Sequence, residues 1–371
     1  MASLALNRMS DPTPDPLPDD PLQAEPLPAD HFGAAEGASP AGAPFEYMRA
    51  YRPMAMPRPR YRLNLLLLLV TCCTTVLVGS RLQFNFDHQL AAFATGDELL
   101  PLFPLQWLWQ SPRLLLRGLP FSLALLSILG AHELGHYLYC RRYRVRATLP
   151  FFIPAPTLIG TLGAFIRIGG TIPSREALFD IGISGPIAGF VLAVPIMLAG
   201  LALSHPIAGV SDPDLQFGFP LIFQLGHLLL HRGLSHASAP SLAHYYLHPV
   251  AIAAWAGMLA TALNLLPGGQ LDGGHLIFAV SPRLHRFLSR GMILSLVVLS
   301  WFFWVGWLPW ALLLALSGLR QPYVPRRPKL GPGRRRLALV ALALLVLTFT
   351  PAPIVNATFS DAVHELTHSD R

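Results

Sequence analysis

Charge is what this chain has least of. Only 13% of its 371 residues are charged, against 53% hydrophobic, and mean hydropathy is +0.47. A soluble domain carries about 25% charge, so the composition excludes a fold covered by water on every side. Lysine is nearly missing: Lys329 is the sole lysine among 27 basic residues. Cysteine is scarce as well. Cys72 and Cys73 lie inside an apolar run and Cys140 ends another, which speaks against a disulfide framework. The formal charge is +7, but the arginines sit in short clusters between apolar runs. That is the distribution of a membrane topology, and no nucleic-acid partner is expected from it.

What is present falls into three regions. Residues 1–57 hold eight acidic residues between Asp11 and Glu46, no lysine or arginine in that stretch, and scattered prolines. Such a segment cannot bury a core and reads as a disordered tail. Residues 58–355 form the membrane part, and residues 356–371 a short C-terminal tail. A bilayer core of about 30 Å needs roughly 20 apolar residues as helix. Leu63–Gly79, Leu119–Cys140, Leu178–Leu203, Val250–Leu266 and Leu337–Val355 are expected to span. Met292–Leu319, broken by Gly306 and Pro309, is one tilted span or a tight pair.

Arginine placement sets the orientation. Arg52–Arg62 precede the first span, Arg141–Arg146 follow the second, and Arg283, Arg286 and Arg290 follow the fourth. Seven basic residues lie between Arg320 and Arg336. The positive-inside rule then puts the N-terminus in the cytoplasm. It also favours the tight pair, since one span at Met292–Leu319 would export the richest basic cluster. The expected setting is a bacterial inner (plasma) membrane. The fold class expected is an all-α polytopic membrane protein of about six to seven transmembrane helices with a small membrane-associated β hairpin or sheet.

The second span contains His132-Glu133-Leu134-Gly135-His136. Residues four apart share a helix face, so both imidazoles can reach one metal ion. Glu133 stands beside them, placed to take a proton from water. Ionisable groups inside a span are costly and default to function. His132 precedes Arg141 by nine residues, about 13 Å of helix, so the site lies inside the membrane but nearer the arginine-rich face. A catalytic zinc takes three protein ligands, and a third is needed from elsewhere. Asp272 is the one carboxylate between Asp214 and Asp361, in the stretch Asn264-Leu-Leu-Pro267-Gly-Gly-Gln-Leu271-Asp272-Gly273-Gly274-His275. Its bland alternative is a helix cap.

These two motifs together resemble the site-2 protease family of intramembrane zinc metalloproteases over residues 119–290. Gly163-Ala-Phe-Ile-Arg-Ile and Leu178-Phe-Asp-Ile-Gly-Ile-Ser-Gly-Pro-Ile-Ala-Gly189 extend the resemblance to the branch with chloroplast-type members, without PDZ or CBS domains. The resemblance implies Zn2+ held by His132, His136 and Asp272, with Glu133 activating water. It implies that Asn264 helps hold the substrate or its oxyanion. It also implies that Phe151–Ile172 forms a hairpin or sheet in the membrane that pairs with an unwound, transmembrane protein substrate. The expected function is proteolysis of membrane-spanning substrates, regulated after a first cut elsewhere. The alternatives are a metal-binding membrane transporter and an inactive pseudoprotease scaffold.

Other signals carry less. His364-Glu365-Leu366-Thr367-His368 repeats the motif near the end of the sequence, with no room for a downstream ligand, and is read as coincidence. His227 and His231, with His236, His244 and His248 nearby, fit an interfacial helix with polar-face histidines. Asn356-Ala-Thr358 is a glycosylation sequon of use only in a eukaryotic secretory setting. Asp180 is expected to cap the third span.

Overall fold

A computed structural model describes residues 61–95, 102–169, 171–207, 216–234, 241–317, 324, 330–355 and 358–359. The acidic segment 1–57 and the second HExxH at His364–His368 lie outside the described residues, as do His236 and the side chain of His231. Among the described residues, three stretches are long and apolar enough to cross a membrane: Tyr61–Asp87, Pro112–Arg142 and Arg175–Leu203, of 27, 31 and 29 residues. They correspond to helices α1 (Tyr61–Asp87), α2 (Leu119–Arg142) and α3 (Arg175–Leu203).

The remaining helices are shorter. Helix α4 (Leu221–Leu234) is amphipathic, and His227 within it stacks edge-on against Tyr245 at 4.9 Å. Helix α5 (Pro249–Leu265) has 17 residues, about 26 Å of helix, and lies at the centre of the bundle. Its alanines at 251, 253 and 254 and Met258 are wholly buried. After it come α6 (Asp272–Val280), α7 (Pro282–Phe302), α8 (Trp307–Ser317) and α9 (Pro332–Thr348). The last expected span, Leu337–Val355, is cut short: the helix stops at Thr348, ahead of Pro351 and Pro353, and Ile354–Val355 form a strand instead.

Helix α8 folds back on α7. Met292 on α7 and Leu314 on α8 both stand 3.6 Å from where a Cβ on Gly268 would be, and Leu296, Trp307 and Leu314 share one buried cluster. Pro282–Phe302 and Trp307–Ser317 thus form a helical pair rather than one continuous helix. A second contact agrees with this. Arg334, in the first turn of α9, reaches Tyr143 just past α2 and Asp180 near the start of α3. The chain therefore returns, between α6 and α9, to the end where α2 finishes.

Asp180 is not the cap expected of it. The helix is capped by Ser174, whose Oγ accepts the Ala177 N–H at 3.1 Å. Asp180 instead takes Nε of Arg334 at 2.9 Å and Nη2 at 2.8 Å, a two-pronged pair, and accepts a short hydrogen bond from Tyr143. Glu176 adds a third contact to Arg334 at 2.9 Å. Burial, and then the neighbouring carboxylate, push the Tyr143 phenol above its usual range, so it stays a donor.

Between α2 and α3 the chain forms an irregular hairpin. Strand β1 (Arg146–Ala147) pairs antiparallel with β4 (Ile168–Gly169), and β2 (Phe151–Pro154) with β3 (Thr161–Phe165). The hairpin begins five residues before the expected Phe151, and its β4 ends at Gly169. Thr148 bridges the two pieces by binding Arg167 through both backbone and hydroxyl. One side lies along α1. Asn64 donates to the carbonyls of Leu149 and Pro150 at 3.1 and 3.0 Å, and Thr74 donates to the Gly160 carbonyl at 2.7 Å. Extended backbone at membrane depth survives only where protein satisfies it, and α1 does so on the β2 side. Two further antiparallel strand pairs join β5 (His205–Pro206) to β7 (Tyr245–Tyr246), and β6 (Gln216–Phe217) to β8 (Ile354–Val355).

Candidate metal centre

Helix α2 carries His132, Glu133 and His136, all buried in the bundle. The four-residue spacing puts both rings on one face, with centroids 4.9 Å apart. Facing them is Asp272, the first residue of α6. Its side chain caps nothing; it turns toward the histidines. His132 Nε2 stands 3.1 Å and His136 Nε2 3.2 Å from Asp272 Oδ2. Among the described residues, these three are the one group of metal-binding type whose ligand atoms converge, all within 4.8 Å of one another.

The donor set fits a metal ion. His136 donates Nδ1–H to the carbonyl of Ile181 at 2.7 Å. That bond fixes the tautomer and leaves the Nε2 lone pair aimed at the common point. A lone pair and a carboxylate oxygen facing each other repel unless a cation or proton stands between them. Two imidazoles and one hard carboxylate suit zinc.

Close helix packing makes this possible. Gly182, Gly185 and Gly189 line one face of α3, three and four residues apart, and let it approach α2 and α6. A Cβ on Gly185 would overlap the His136 ring. One on Gly189 would sit 3.2 Å from His132 Cβ, and one on Gly182 would sit 3.6 Å from the Asp272 carbonyl oxygen. Gly135 of α2 reciprocates, since a Cβ there would come within 2.5 Å of the Ser184 carbonyl. Small residues at helix contacts are how membrane helices come together; here they also bring all three candidate ligands under one wall.

Asp272 is positioned through a loop. Gly269 has φ +53, the left-handed region that glycine adopts without strain. Both its backbone groups are gripped by α7. His285 Nε2 lies 3.0 Å from the Gly269 carbonyl, and Ser289 Oγ accepts the Gly269 N–H at 3.2 Å. Both residues are 1% exposed. Gly273 and Gly274 lie so close to the backbone of residues 265–269 that neither has room for a Cβ.

The site opens into a cavity of about 220 Å³, lined by the three candidate ligands, Glu133, Asn264, and Ala164, Phe165, Ile166 and Ile168 of the β3–β4 segment, among others. Asn264, at the end of α5, holds Nδ2 3.4 Å from His132 Nε2. The backbone N–H of Ile166 faces the Glu133 carboxylate. Every site residue singled out in the sequence is thus in one place. Gln270 and His275 also line the cavity and carried no role in the sequence reading. Their neighbourhood to Asp272 was the available signal.

Residues 120–303 match the model of peptidase family M50. The chain is similar to the probable zinc metalloprotease EGY1, chloroplastic, of Oryza sativa subsp. japonica, at 32% identity over 85% of this chain and 56% of the relative. Its counterpart in Arabidopsis thaliana is 30% identical over 85% of this chain and 59% of the relative. The probable zinc metalloprotease EGY2, chloroplastic, of Arabidopsis thaliana is 35% identical over 51% of this chain and 34% of the relative. The chain thus spans little more than half the length of the first two.

Proposed function

The chain belongs to peptidase family M50, the site-2 protease family, through residues 120–303, and on that premise we propose that it is an intramembrane zinc endopeptidase. Its substrates are membrane-spanning proteins, cut as a step of regulated proteolysis. The observation that carries this reading is the convergence of His132, His136 and Asp272 beside a buried Glu133, in a cavity enclosed by apolar helices.

His132, His136 and Asp272 would hold the zinc, which would supply Lewis acidity toward a substrate carbonyl. Glu133, one residue from a ligand, takes a proton from the attacking water and delivers it to the leaving nitrogen. Asn264 turns its amide N–H toward the same space and stabilises the carbonyl oxygen as it gains charge. A metal carrier has no need of a carboxylate that stands beside the ligands without being one of them.

A helical substrate has its backbone bonded to itself and must unwind before it is cut. The hairpin offers a replacement partner. Its β2 side is covered by α1, while β3 and β4 line the cavity. With Ile166 N–H turned to Glu133, the two-residue period of an extended chain turns Ala164 N–H to the same edge. Strand addition there lays an unwound segment across the metal.

Of the six to seven spans, α1, α2 and α3 have full length; α5, the α7–α8 pair and α9 complete the count. The positive-inside rule assigns the arginine-rich clusters, and with them the N-terminal segment, to the cytoplasmic or stromal side. The relatives' names say chloroplastic, so a plastid membrane is the setting they favour, and the bacterial inner membrane draws no support from them. The test is a panel of single-span membrane proteins reconstituted with the purified chain or its Glu133→Gln variant. Cleavage by the first alone supports the proposal; equal cleavage by both, with contaminating protease excluded, removes it.

A further inference from the structure

Helix α7 has two unlike faces. His285, Ser289, Leu296 and Ser300 are buried on one, gripping the Asp272 loop and packing on α8. On the other, Arg283, Arg286 and Arg290 recur at three- and four-residue steps and are exposed. At 100° per residue the same stripe continues through Leu294 and Trp301, which are 66% and 53% exposed. Arg283 and Leu294 are eleven residues apart, about 16 Å along the axis. The face thus passes from cationic to apolar within the depth of one headgroup and the start of one acyl chain.

The stripe is also hollow. Arg283, Arg286, Phe287, Arg290, Gly291 and Leu294 line an open groove of about 460 Å³. Gly291 forms its floor, where an added Cβ would meet nothing within 4 Å. No carboxylate pairs with these three arginines among the described residues; Asp272, the one acid between Asp214 and Asp361, faces the histidines. Three uncompensated guanidiniums beside a groove that runs on into exposed hydrocarbon complement a ligand with an anionic head and an apolar tail.

We infer that the outer face of α7 is a binding site for an anionic glycerolipid, its phosphate on Arg283, Arg286 and Arg290 and an acyl chain along Phe287, Gly291 and Leu294. Arginine forks suit phosphate oxygens, and the apolar half of the groove separates a lipid from a free anion. The inner face of the same helix holds the loop of Asp272, so the lipid also braces the element on which the candidate site depends.

The test needs no proteolysis. Full-length chain in mixed phosphatidylcholine–phosphatidylglycerol vesicles is extracted, and retained phosphatidylglycerol is measured by native mass spectrometry. Arg286→Gln with Arg290→Gln should lower retention by more than about ten-fold, since each basic group near an anionic surface contributes about a five-fold factor. Arg113→Gln, in the short helix Pro112–Leu115 ahead of α2, should leave it unchanged. Gly291→Leu fills the groove while keeping every charge, and should lower retention too. Equal retention in the double variant overturns the site. Full retention in Gly291→Leu reduces it to general charge attraction, which also overturns it. Displacement of the lipid by inorganic phosphate at matched concentration would mean an anion site without a lipid, and would overturn it likewise.

Discussion

His136 donates its Nδ1–H to the carbonyl of Ile181, 2.7 Å away on the neighbouring helix. The bond exists because Gly185, one turn further along α3, leaves room for the imidazole. Gly185→Ala should therefore displace His136 and lower zinc content. The overpacking should cost about 1–3 kcal/mol of stability. Gly130→Ala is the matched control, because its Cβ would meet only Phe152 at an ordinary 3.6 Å. Thermal unfolding in detergent and zinc analysis of both variants check this.

Removing the grip on Gly269 should loosen Asp272 without touching it. His285→Ala and Ser289→Ala are expected to weaken zinc affinity by about 10–100-fold, the range seen when supports behind metal ligands are lost. His285→Gln, which keeps a donor, should recover part of the loss. Zinc competition with a chelator gives the affinities, and unchanged values would make the His285–Gly269 contact irrelevant to the site.

Arg334 ties α9 to the ends of α2 and α3 through Asp180, Tyr143 and Glu176. Its side chain is 27% exposed and that of Asp180 13%, so solvent screens the pair in part. Arg334→Ala should cost about 1–2 kcal/mol. Arg334→Lys should recover little, since one ammonium cannot reproduce the two-pronged contact. The melting temperature should fall by about 2–4 °C per kcal/mol in a domain of this size.

How much of this was legible beforehand depended on distance along the chain. The histidine pair was, because helical periodicity alone puts residues four apart on one face. Asp272 was, because it is the one carboxylate between Asp214 and Asp361. The partnership of Asp180 with Arg334 was not: it joins residues 154 positions apart, and a lone aspartate near a helix start reads as a cap until its partner is known. The ends of the last helix misled for a different reason. Residues 349–355 are apolar enough to continue a span, but prolines 351 and 353 deny the backbone its hydrogen bonds. The glycines of α3 stood in the sequence as a resemblance; their contacts with all three candidate ligands needed coordinates.

The contact of Arg334 with Tyr143 and Asp180 also predicts topology. Gly331, just ahead of α9, should lie on the same side of the membrane as Arg142. Single cysteines at the two positions, in a background lacking Cys72, Cys73 and Cys140, should be labelled from the same side by an impermeant maleimide. Labelling from opposite sides would mean that residues 292–319 cross only once.

Zinc content of Asp272→Ala beside Glu133→Gln tests the central claim most directly. Asp272 is assigned as a ligand and Glu133 as the base that holds nothing, although both carboxylates line one cavity. Elemental analysis of the purified chains should therefore find about one zinc per chain in the parent and in Glu133→Gln, as one three-ligand site requires, and little in Asp272→Ala. A full complement of zinc in Asp272→Ala, or its loss in Glu133→Gln, would contradict the account.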